Sequence, residues 1–395
     1  MTAWILLLIG FGVGNLQKFS LFSQDVHISA LDIIIFLLTL LALPLNPKKY
    51  QGLVVPIVVF FTVGLVSLIF ALPSYGWQAV FVGSMYLARW TVYSLFFASI
   101  IQLIKPQQIV YLLYSIGIVT AILGLGQYIV FPDVRSLAVA EWDPHYYRVV
   151  GTFLDPGFTG LILVFTLIFL TLNPLKNRLI NLISWSASYL AFVLTYSRSS
   201  YAAFLVSMAY IAWRRKSLKF FLFVVILFLT TLYVLPRSPG GEGVDLQRTS
   251  SIQARIDSWA TAWRIFTQHP ILGVGFNVYR YAQGASLKSH AGAGADSSLL
   301  FVAATTGLVG LLAYLWYLRR LYLLSTMNYE LKATLVAVLA HSLFLNSLFY
   351  PAIMVWISLL LSSSDFLPGR LPQTPRYSPR KAPKAKSETS PRRPK

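Results

Sequence analysis

The sequence predicts an all-α integral membrane protein with about twelve transmembrane helices. Three observations support this prediction: 56% of the 395 residues are hydrophobic, only 11% are charged, and apolar runs of about 20 residues recur along the chain. Soluble proteins carry roughly 25% charged residues. A membrane β-barrel would alternate apolar and polar residues, and these runs do not.

The apolar runs divide the chain into a membrane domain, residues 1–364, and a tail, residues 365–395. We predict spans at residues 3–16, 28–45, 53–72, 77–104, 109–131, 156–173, 179–195, 199–213, 218–235, 298–318, 331–349 and 350–364. The first run lacks the basic flank and the cleavage site of a signal peptide, so we treat it as a span. The tail is basic and rich in Pro and Ser. We therefore expect it to be disordered and to touch anionic lipid.

The distribution of basic residues predicts the orientation of the chain. A net charge of +19 would indicate a nucleic-acid partner in a soluble protein, but membrane proteins concentrate Lys and Arg in their cytoplasmic connections. One set of alternating connections, which includes the tail, carries 21 of the 32 lysines and arginines and three acids. The other set carries ten basic and nine acidic residues. We expect a protein of the cytoplasmic (inner) membrane with both termini inside and no nucleic-acid partner.

Two connections on the predicted outer side, residues 132–155 and 236–297, hold most of the outer charge. The longer one contains a large amphipathic segment whose apolar residues recur at spacings of three and four: Ile252, Ile256, Trp259, Trp263 and Phe266. We predict a helix that Ser250 or Ser251 caps and Pro270 ends. The "LGVGF" that follows suits a tight backbone turn, and by itself is a weak phosphate-binding signal.

Two arginines of this predicted helix are not equivalent. At about 100° per residue, with Arg255 at 0°, the apolar residues fall between roughly 20° and 100°. Arg255 then lies at the edge of the apolar face, and Arg264, near 180°, lies far from it. We expect Arg255 to point into the membrane domain and Arg264 to face water or lipid headgroups. The alternative for Arg255 is an arginine that snorkels at the interface.

Two further arginines are candidates for binding an anionic substrate. Arg198, in "TYSRSSYA", lies in a short outer hairpin, where positive charge is disfavoured as a topological marker. Arg89 lies inside a predicted span, where an arginine costs several kcal/mol unless it is paired or hydrated. Its partner is either an anionic ligand or Asp32, the one acid within a predicted span, in a purely structural pair.

Three residues near the ends of the outer loops are candidate acids or bases. Asp155 precedes Pro-Gly at the start of a span, where a plain N-cap is the favoured interpretation. Asp296 precedes another span and suits either an N-cap or a general base. His290 lies six residues upstream in a Gly/Ala-rich stretch. The histidines have no companions at metal-ligand spacing, so we expect no metal and no cofactor. The chain has no cysteines, which excludes thiol catalysis.

Four segments together resemble the bacterial O-antigen ligase and polymerase family. They are "VVGTFLDPGFTG", "TYSRSS", "RIDSWATAWRIFTQHPILGVGF" and "DSSLLFVAATTGLVGLL". The resemblance runs from about Arg148 to Leu312 and includes the layout of twelve spans. It implies transfer of a glycan, without metal, from a polyprenyl diphosphate carrier to a glycan or lipid acceptor outside the cytoplasmic membrane.

The resemblance also assigns candidate roles. Ligases of the family carry His-Asn at the end of the outer loop, where this sequence has Asp296 and Ser297. This departure leaves the ligase and polymerase subtypes open. A diphosphate leaving group needs fixed cations, for which Arg198 and Arg255 are candidates with Arg89. The acceptor hydroxyl needs a base, and attack from the opposite face of the sugar predicts inversion.

Two other functions remain open from the sequence. A flippase or exporter of lipid-linked oligosaccharide would use Arg89 along its path, although we find no repeat that relates the two halves of the chain. A non-catalytic scaffold of envelope synthesis would leave the placement of the arginines unexplained.

Overall fold

The computed structural model describes residues 2–21, 26–43, 50–140, 142–236, 242–283, 294–324 and 328–363. These residues form helices and one antiparallel hairpin, which confirms the all-α class. The elements are α1 (Thr2–Val13), β1 (Lys18–Leu21), β2 (Val26–Ser29), α2 (Ala30–Ala42), α3 (Gln51–Leu103), α4 (Pro106–Val130), α5 (Pro156–Leu172), α6 (Arg178–Val193), α7 (Arg198–Arg214), α8 (Leu218–Val234), α9 (Ser250–Gln268), α10 (Tyr279–Ala282), α11 (Ser298–Leu324), α12 (Tyr329–His341) and α13 (Pro351–Ser363).

A helix occurs at each of the twelve predicted spans. Among the described residues, α3, α4 and α11 are long and apolar enough to cross a membrane, and five shorter helices are also apolar. The number of crossings stays a prediction. The connection between the first two predicted spans contains the hairpin β1–β2. One predicted detail is wrong. The span predicted at 331–349 stops being helical at His341, and its remainder packs beside the start of α11.

The long helix α3 consists of two antiparallel halves. It has non-helical backbone at Gly76, with φ 77° and ψ 170°. The rings of Phe60 and Trp90 lie 4.7 Å apart, and a Cβ on Gly64 would lie 2.8 Å from Leu87 Cδ1. Contacts between residues equally far from Gly76 require the chain to reverse there. The two halves correspond to the predicted spans 53–72 and 77–104.

The core of the bundle is built around α5 and α13. Most residues of α5 are buried, and α13 is buried from Ala352 to Ser362. Their hydroxyl side chains are satisfied internally. Thr166 Oγ1 donates to the Ile162 carbonyl, and Ser362 Oγ donates to the Phe97 carbonyl at 3.0 Å. Helix α8 lies at the periphery, where only Val224 and Phe228 of its residues are buried.

Helix α11 is interrupted at Gly307, where the loop after α9 inserts its backbone. The amide of Leu308 donates to the Pro270 carbonyl at 2.8 Å, and the amide of Val274 donates to the Ala304 carbonyl at 3.1 Å. The "LGVG" turn is thus hydrogen-bonded through its backbone to α11 at the point where this helix is interrupted. Its glycines have φ of 65° and 106°, which agrees with the predicted tight turn.

We expect Gly307→Ala to lower the unfolding temperature of the purified protein. Gly307 has φ 65° and ψ −165°, a region that costs other residues about 1–3 kcal/mol. The new Cβ would also lie 2.2 Å from the Ile271 carbonyl carbon. Gly126→Ala is the control, because Gly126 has nothing within 4 Å and lies on a helix. Equal unfolding temperatures would contradict the close approach of loop and helix.

Candidate functional site

A cavity of about 380 Å³ lies where the two predicted outer loops meet the helix bundle. Its wall comes from β2, the second half of α3, the predicted outer loop 132–155, the segments around α10 and before α11, and the connection between α12 and α13. The polar side chains on it include Arg89, Asp143, Asp155, Asn277, Arg280, Asp296 and Asn346. The aromatic side chains include Trp142, Phe276, Tyr281, Phe349 and Tyr350. The cavity therefore combines carboxylates, cations and flat apolar surfaces.

The backbone of Asp296 is held on both sides by α9. Its amide donates to Ser258 Oγ at 2.9 Å, and Trp259 Nε1 donates to its carbonyl at 2.9 Å. The N-cap alternative for Asp296 does not fit, because the residue before α11 is Ser297, whose Oγ accepts from the Leu300 amide at 3.5 Å. Asp296 is thus positioned by α9 on the cavity wall.

The carboxylate of Asp296 accepts no hydrogen bond from the residues that the structure describes. Burial raises its pKa above the ordinary range of an aspartate, and the Arg255 guanidinium opposes this rise. The nearby carboxylates of Asp143 and Asp155 add to the rise. A carboxylate without donors in a partly apolar cavity is a stronger proton acceptor than one on the surface.

Helix α9 is rotated relative to our prediction. Its buried residues are Ala262 and Ile265, which lie near −20° and −80° when Arg255 is placed at 0°. The predicted inward residues Ile252, Ile256 and Trp263 are 46%, 47% and 56% exposed. The predicted apolar face is therefore turned partly away from the protein, while Trp259 and Phe266 at its other side stay half-buried. The predicted N-cap is wrong, because Thr249 occupies that position without a side-chain hydrogen bond. The predicted end before Pro270 is confirmed, because the helix ends at Gln268 with His269 as its C-cap.

The inward placement of Arg255 is confirmed, and it lies within the buried face, not at its edge. Arg255 is half-buried and Arg264 is exposed. The Arg255 guanidinium lies 5.9 Å from the centre of the Phe344 ring and forms no hydrogen bond within the described part of the chain. Burial lowers its pKa, and the charges of Asp296 and Asp155 oppose this. Arg255 lies beside the cavity, at the side where Asp296 is held.

Arg198 anchors the segment before α9, which belongs to the longer predicted outer loop. Its Nη1 donates to the carbonyls of Leu246 at 3.2 Å and Arg248 at 3.0 Å, and its Nη2 donates to Ser251 Oγ at 2.5 Å. These bonds attach the start of α9 to the start of α7. This role could not be predicted from the sequence, because the acceptors are two backbone carbonyls and a serine hydroxyl some 50 residues away. A direct contact of Arg198 with a substrate stays a prediction.

A second arginine anchors the shorter outer loop in the same way. Arg148 is buried, and it donates to the carbonyls of Thr195 at 2.9 Å and Tyr196 at 3.3 Å. Burial lowers its pKa to about 9. Both predicted outer loops are thus attached to the turn between α6 and α7, which contains the "TYSRSS" motif.

Arg89 pairs with Asp32, as the structural alternative predicted. Its Nε lies 2.6 Å from Asp32 Oδ1, and its Nη2 donates to Oδ2 at 2.8 Å. The same carboxylate accepts from Tyr93 and from the amide and hydroxyl of Ser29. These donors compensate the burial of the ion pair. The Arg89 side chain remains 27% exposed and lines the cavity, so the pair does not remove it from the site.

Asp155 is the N-cap of α5, as predicted. Its Oδ1 accepts from the Phe158 amide at 2.8 Å. Burial raises its pKa, and the hydrogen bonds from the amides of Phe158 and Gly157 oppose the rise. Its carboxylate is therefore committed to the helix, unlike that of Asp296.

Sequence reasoning did not identify several cavity residues. Asn346 lines the cavity, and its Oδ1 is buried and without a donor among the described residues. Asp143, Asn277 and Arg280 belong to segments without a recognisable motif. His290, the other candidate base, lies outside the described residues. Within the described ranges no group of three or more metal-ligating side chains occurs, and the expectation that no metal is used stays a prediction.

Comparison with known families identifies the segment that carries most of this site. Residues 182–315 match the family model described as O-antigen ligase. This segment is similar to the O-antigen ligase family. The match confirms the predicted resemblance to the O-antigen ligase and polymerase family. The matched domain contains Arg198, Arg255 and Asp296, whereas Arg89 and Asp155 lie outside it. No curated protein matches the chain.

The match to the O-antigen ligase model also supports the coarser functional prediction. Together with the long apolar helices, it supports a membrane protein with a glycosyltransferase-like function. Such proteins imply lipid-linked glycan substrates and a lipid environment.

Proposed function

We propose that this protein is a glycosyltransferase of the O-antigen ligase or polymerase type. It transfers a glycan from a polyprenyl diphosphate carrier to an acceptor hydroxyl on the extracytoplasmic side of the inner membrane. The observation that supports this most directly is the Asp296 carboxylate. It lies on the cavity wall without a hydrogen-bond donor among the described residues, close enough to Arg255 for their charges to interact, within the matched domain.

The proposed reaction assigns one step to each group. Asp296 takes the proton of the acceptor hydroxyl, and the acceptor oxygen forms a bond to the anomeric carbon of the donor sugar. The bond between this carbon and the diphosphate oxygen breaks, and the diphosphate leaves with the electron pair. Arg255 stabilises the charge that develops there, because a guanidinium binds two phosphate oxygens at once. Attack from the opposite face inverts the anomeric configuration, and Asp296 then releases its proton.

The remaining cavity residues suit a sugar. A volume of about 380 Å³ lies within the usual range for small-molecule sites. Aromatic side chains such as Trp142 and Tyr281 offer flat surfaces for the apolar face of a ring. The Asn346 Oδ1 needs a donor, which a sugar hydroxyl would supply. The cation of Arg89 lies on the same wall and suits a negatively charged group of the substrate.

The proposal is tested with purified protein and a defined polyprenyl diphosphate glycan. We expect release of the polyprenyl diphosphate and a glycan of increased mass, with inverted configuration at the new bond. Products of many repeat units would identify a polymerase, and single transfer to a lipid acceptor would identify a ligase. If proteoliposomes move the intact lipid-linked donor across the bilayer without breaking its bond, the protein is a transporter and the proposal is wrong.

We also propose the predicted orientation, with α9 outside and the turn between α7 and α8 inside. Because the chain has no cysteine, single cysteines can be labelled cleanly. An impermeant thiol reagent applied to spheroplasts should label Gln268→Cys and spare Lys219→Cys until the membrane is broken. Both side chains are exposed, so the inverse pattern would show that the orientation is reversed.

A further inference from the structure

A second cavity lies between α7 and α8, far from the site described above. It is an open groove of about 580 Å³ beside the turn that joins the two helices. Its wall includes Ala209, Ala212, Trp213, Arg214, Lys216 and Phe221. Arg198 and Arg214 are 16 residues apart on α7, which corresponds to about 24 Å along the helix axis. The groove therefore lies at the end of α7 opposite to the outer loops.

One end of the groove is strongly basic. The turn at residues 214–219 contains four basic residues and no acid. Arg214 donates to the Tyr329 hydroxyl at 3.1 Å and packs on its ring at 4.9 Å, which fixes the guanidinium. The Lys216 side chain is exposed and has no hydrogen-bonded or ionic partner in the part of the chain that the structure describes. Arg214 and Lys216 thus lie at one opening, and no acidic side chain of the described residues lines the groove.

The rest of the groove is apolar and continues onto an apolar helix face. Trp213 and Leu218 are 69% and 68% exposed at its mouth. Along α8, Leu222, Phe223 and Ile226 are 48%, 63% and 63% exposed. An apolar surface of this extent is covered by lipid in a membrane protein. A ligand that fits both parts carries a negative charge at one end and hydrocarbon at the other.

We propose that the groove between α7 and α8 binds an anionic phospholipid. The phosphodiester lies between Arg214 and Lys216, and one acyl chain lies along Ala209, Ala212 and Phe221. Basic pockets between transmembrane helices at the cytoplasmic face are suited to such headgroups. The site is separate from the glycan-transfer site, and the proposal does not depend on the proposed function.

Trp213 provides the readout for a test. Bromine atoms on an acyl chain quench a nearby tryptophan, and the difference between wild type and Trp213→Phe isolates the emission of Trp213. The full-length protein is titrated in mixed micelles with brominated phosphatidylglycerol or with brominated phosphatidylcholine. We expect phosphatidylglycerol to quench Trp213 at a lower mole fraction than phosphatidylcholine.

Substitutions in the turn distinguish binding of the lipid in the groove from a general electrostatic attraction of anionic lipid to the basic turn. Lys216→Gln is expected to reduce the preference for phosphatidylglycerol by about fivefold. Lys219→Gln removes the same charge from the same turn, but its side chain does not line the groove, so its effect should be smaller. Excess inorganic phosphate should leave the preference intact, because it lacks the acyl chain.

Four results would overturn the proposal. Equal quenching by the two lipids would show that no headgroup is selected. Equal effects of the two lysine substitutions would indicate diffuse attraction only. Loss of the preference in inorganic phosphate would assign the cations to a soluble anion. Absence of quenching together with a dimeric mass would assign the groove to a second copy of the chain.

Discussion

Asp296→Asn is expected to lower the rate of glycan transfer by about 100- to 10,000-fold, the usual contribution of a general base. Asparagine keeps the size of the side chain and the two backbone hydrogen bonds to α9, but it cannot accept the proton. Donor binding, measured separately by a lipid-diphosphate binding assay, should be retained. Asp257→Asn is the matched control. Asp257 is exposed on α9, the helix that holds the Asp296 backbone, and among the described residues its side chain is hydrogen-bonded only to Gln253.

The pH dependence gives a second readout of the same assignment. Burial raises the pKa of Asp296, and a base acts only in its ionised form. The transfer rate should therefore be full above this raised pKa and fall as the pH decreases through it. Normal turnover in Asp296→Asn together with an inactive His290→Gln would assign the base to His290. Normal turnover in both variants would exclude both side chains.

Arg255→Ala is expected to reduce transfer by about 100- to 1,000-fold, the usual loss when one group that stabilises a developing oxyanion is removed. Arg264→Ala should remain close to wild type, because Arg264 is exposed on the opposite side of α9. The pair forms a matched comparison, since the same charge is removed from the same helix. The measurement is the rate of polyprenyl diphosphate release at saturating donor.

Arg255→Lys distinguishes charge from geometry. An ammonium keeps the positive charge but loses the paired N–H groups of the guanidinium, so this variant should recover only part of the activity. Full activity in Arg255→Lys would show that Arg255 contributes only its positive charge and that the paired N–H groups are not needed. Equal activity of Arg255→Ala and Arg264→Ala would show that neither arginine meets the diphosphate.

The intramembrane ion pair was accessible from the sequence, because only one acid and one arginine lie within the predicted spans. Pairing Arg89 with Asp32 then gives the lowest free-energy cost of burying either charge. The sequence also made Arg89 a candidate for binding substrate, but it did not indicate that the same side chain pairs with Asp32 and lines the cavity. That depends on how α2 and α3 pack, which spacing along the chain does not encode.

The cavity was not predictable as a unit. Asp143, Asp296 and Asn346 lie on three different connections, and the folding of the outer loops brings them to one wall. The loops are held by arginines that donate to backbone carbonyls. Every residue has a backbone carbonyl, so no sequence pattern indicates which carbonyls accept hydrogen bonds from these arginines.

The sequence by itself determined the all-α class, the approximate positions of the helices at the twelve predicted spans and the resemblance to the O-antigen ligase family, because long apolar runs and local motifs are properties of neighbouring residues. Only the tertiary structure decided which face of α9 is inside. Periodicity found its apolar stripe of Ile252, Ile256 and Trp263, yet that stripe is exposed and Arg255 faces inward. In water an apolar stripe must turn to the core. In a bilayer, lipid tails are as apolar as a protein interior. An apolar stripe beside a membrane can therefore face lipid or protein, and the packing of α9 against its neighbours determines which.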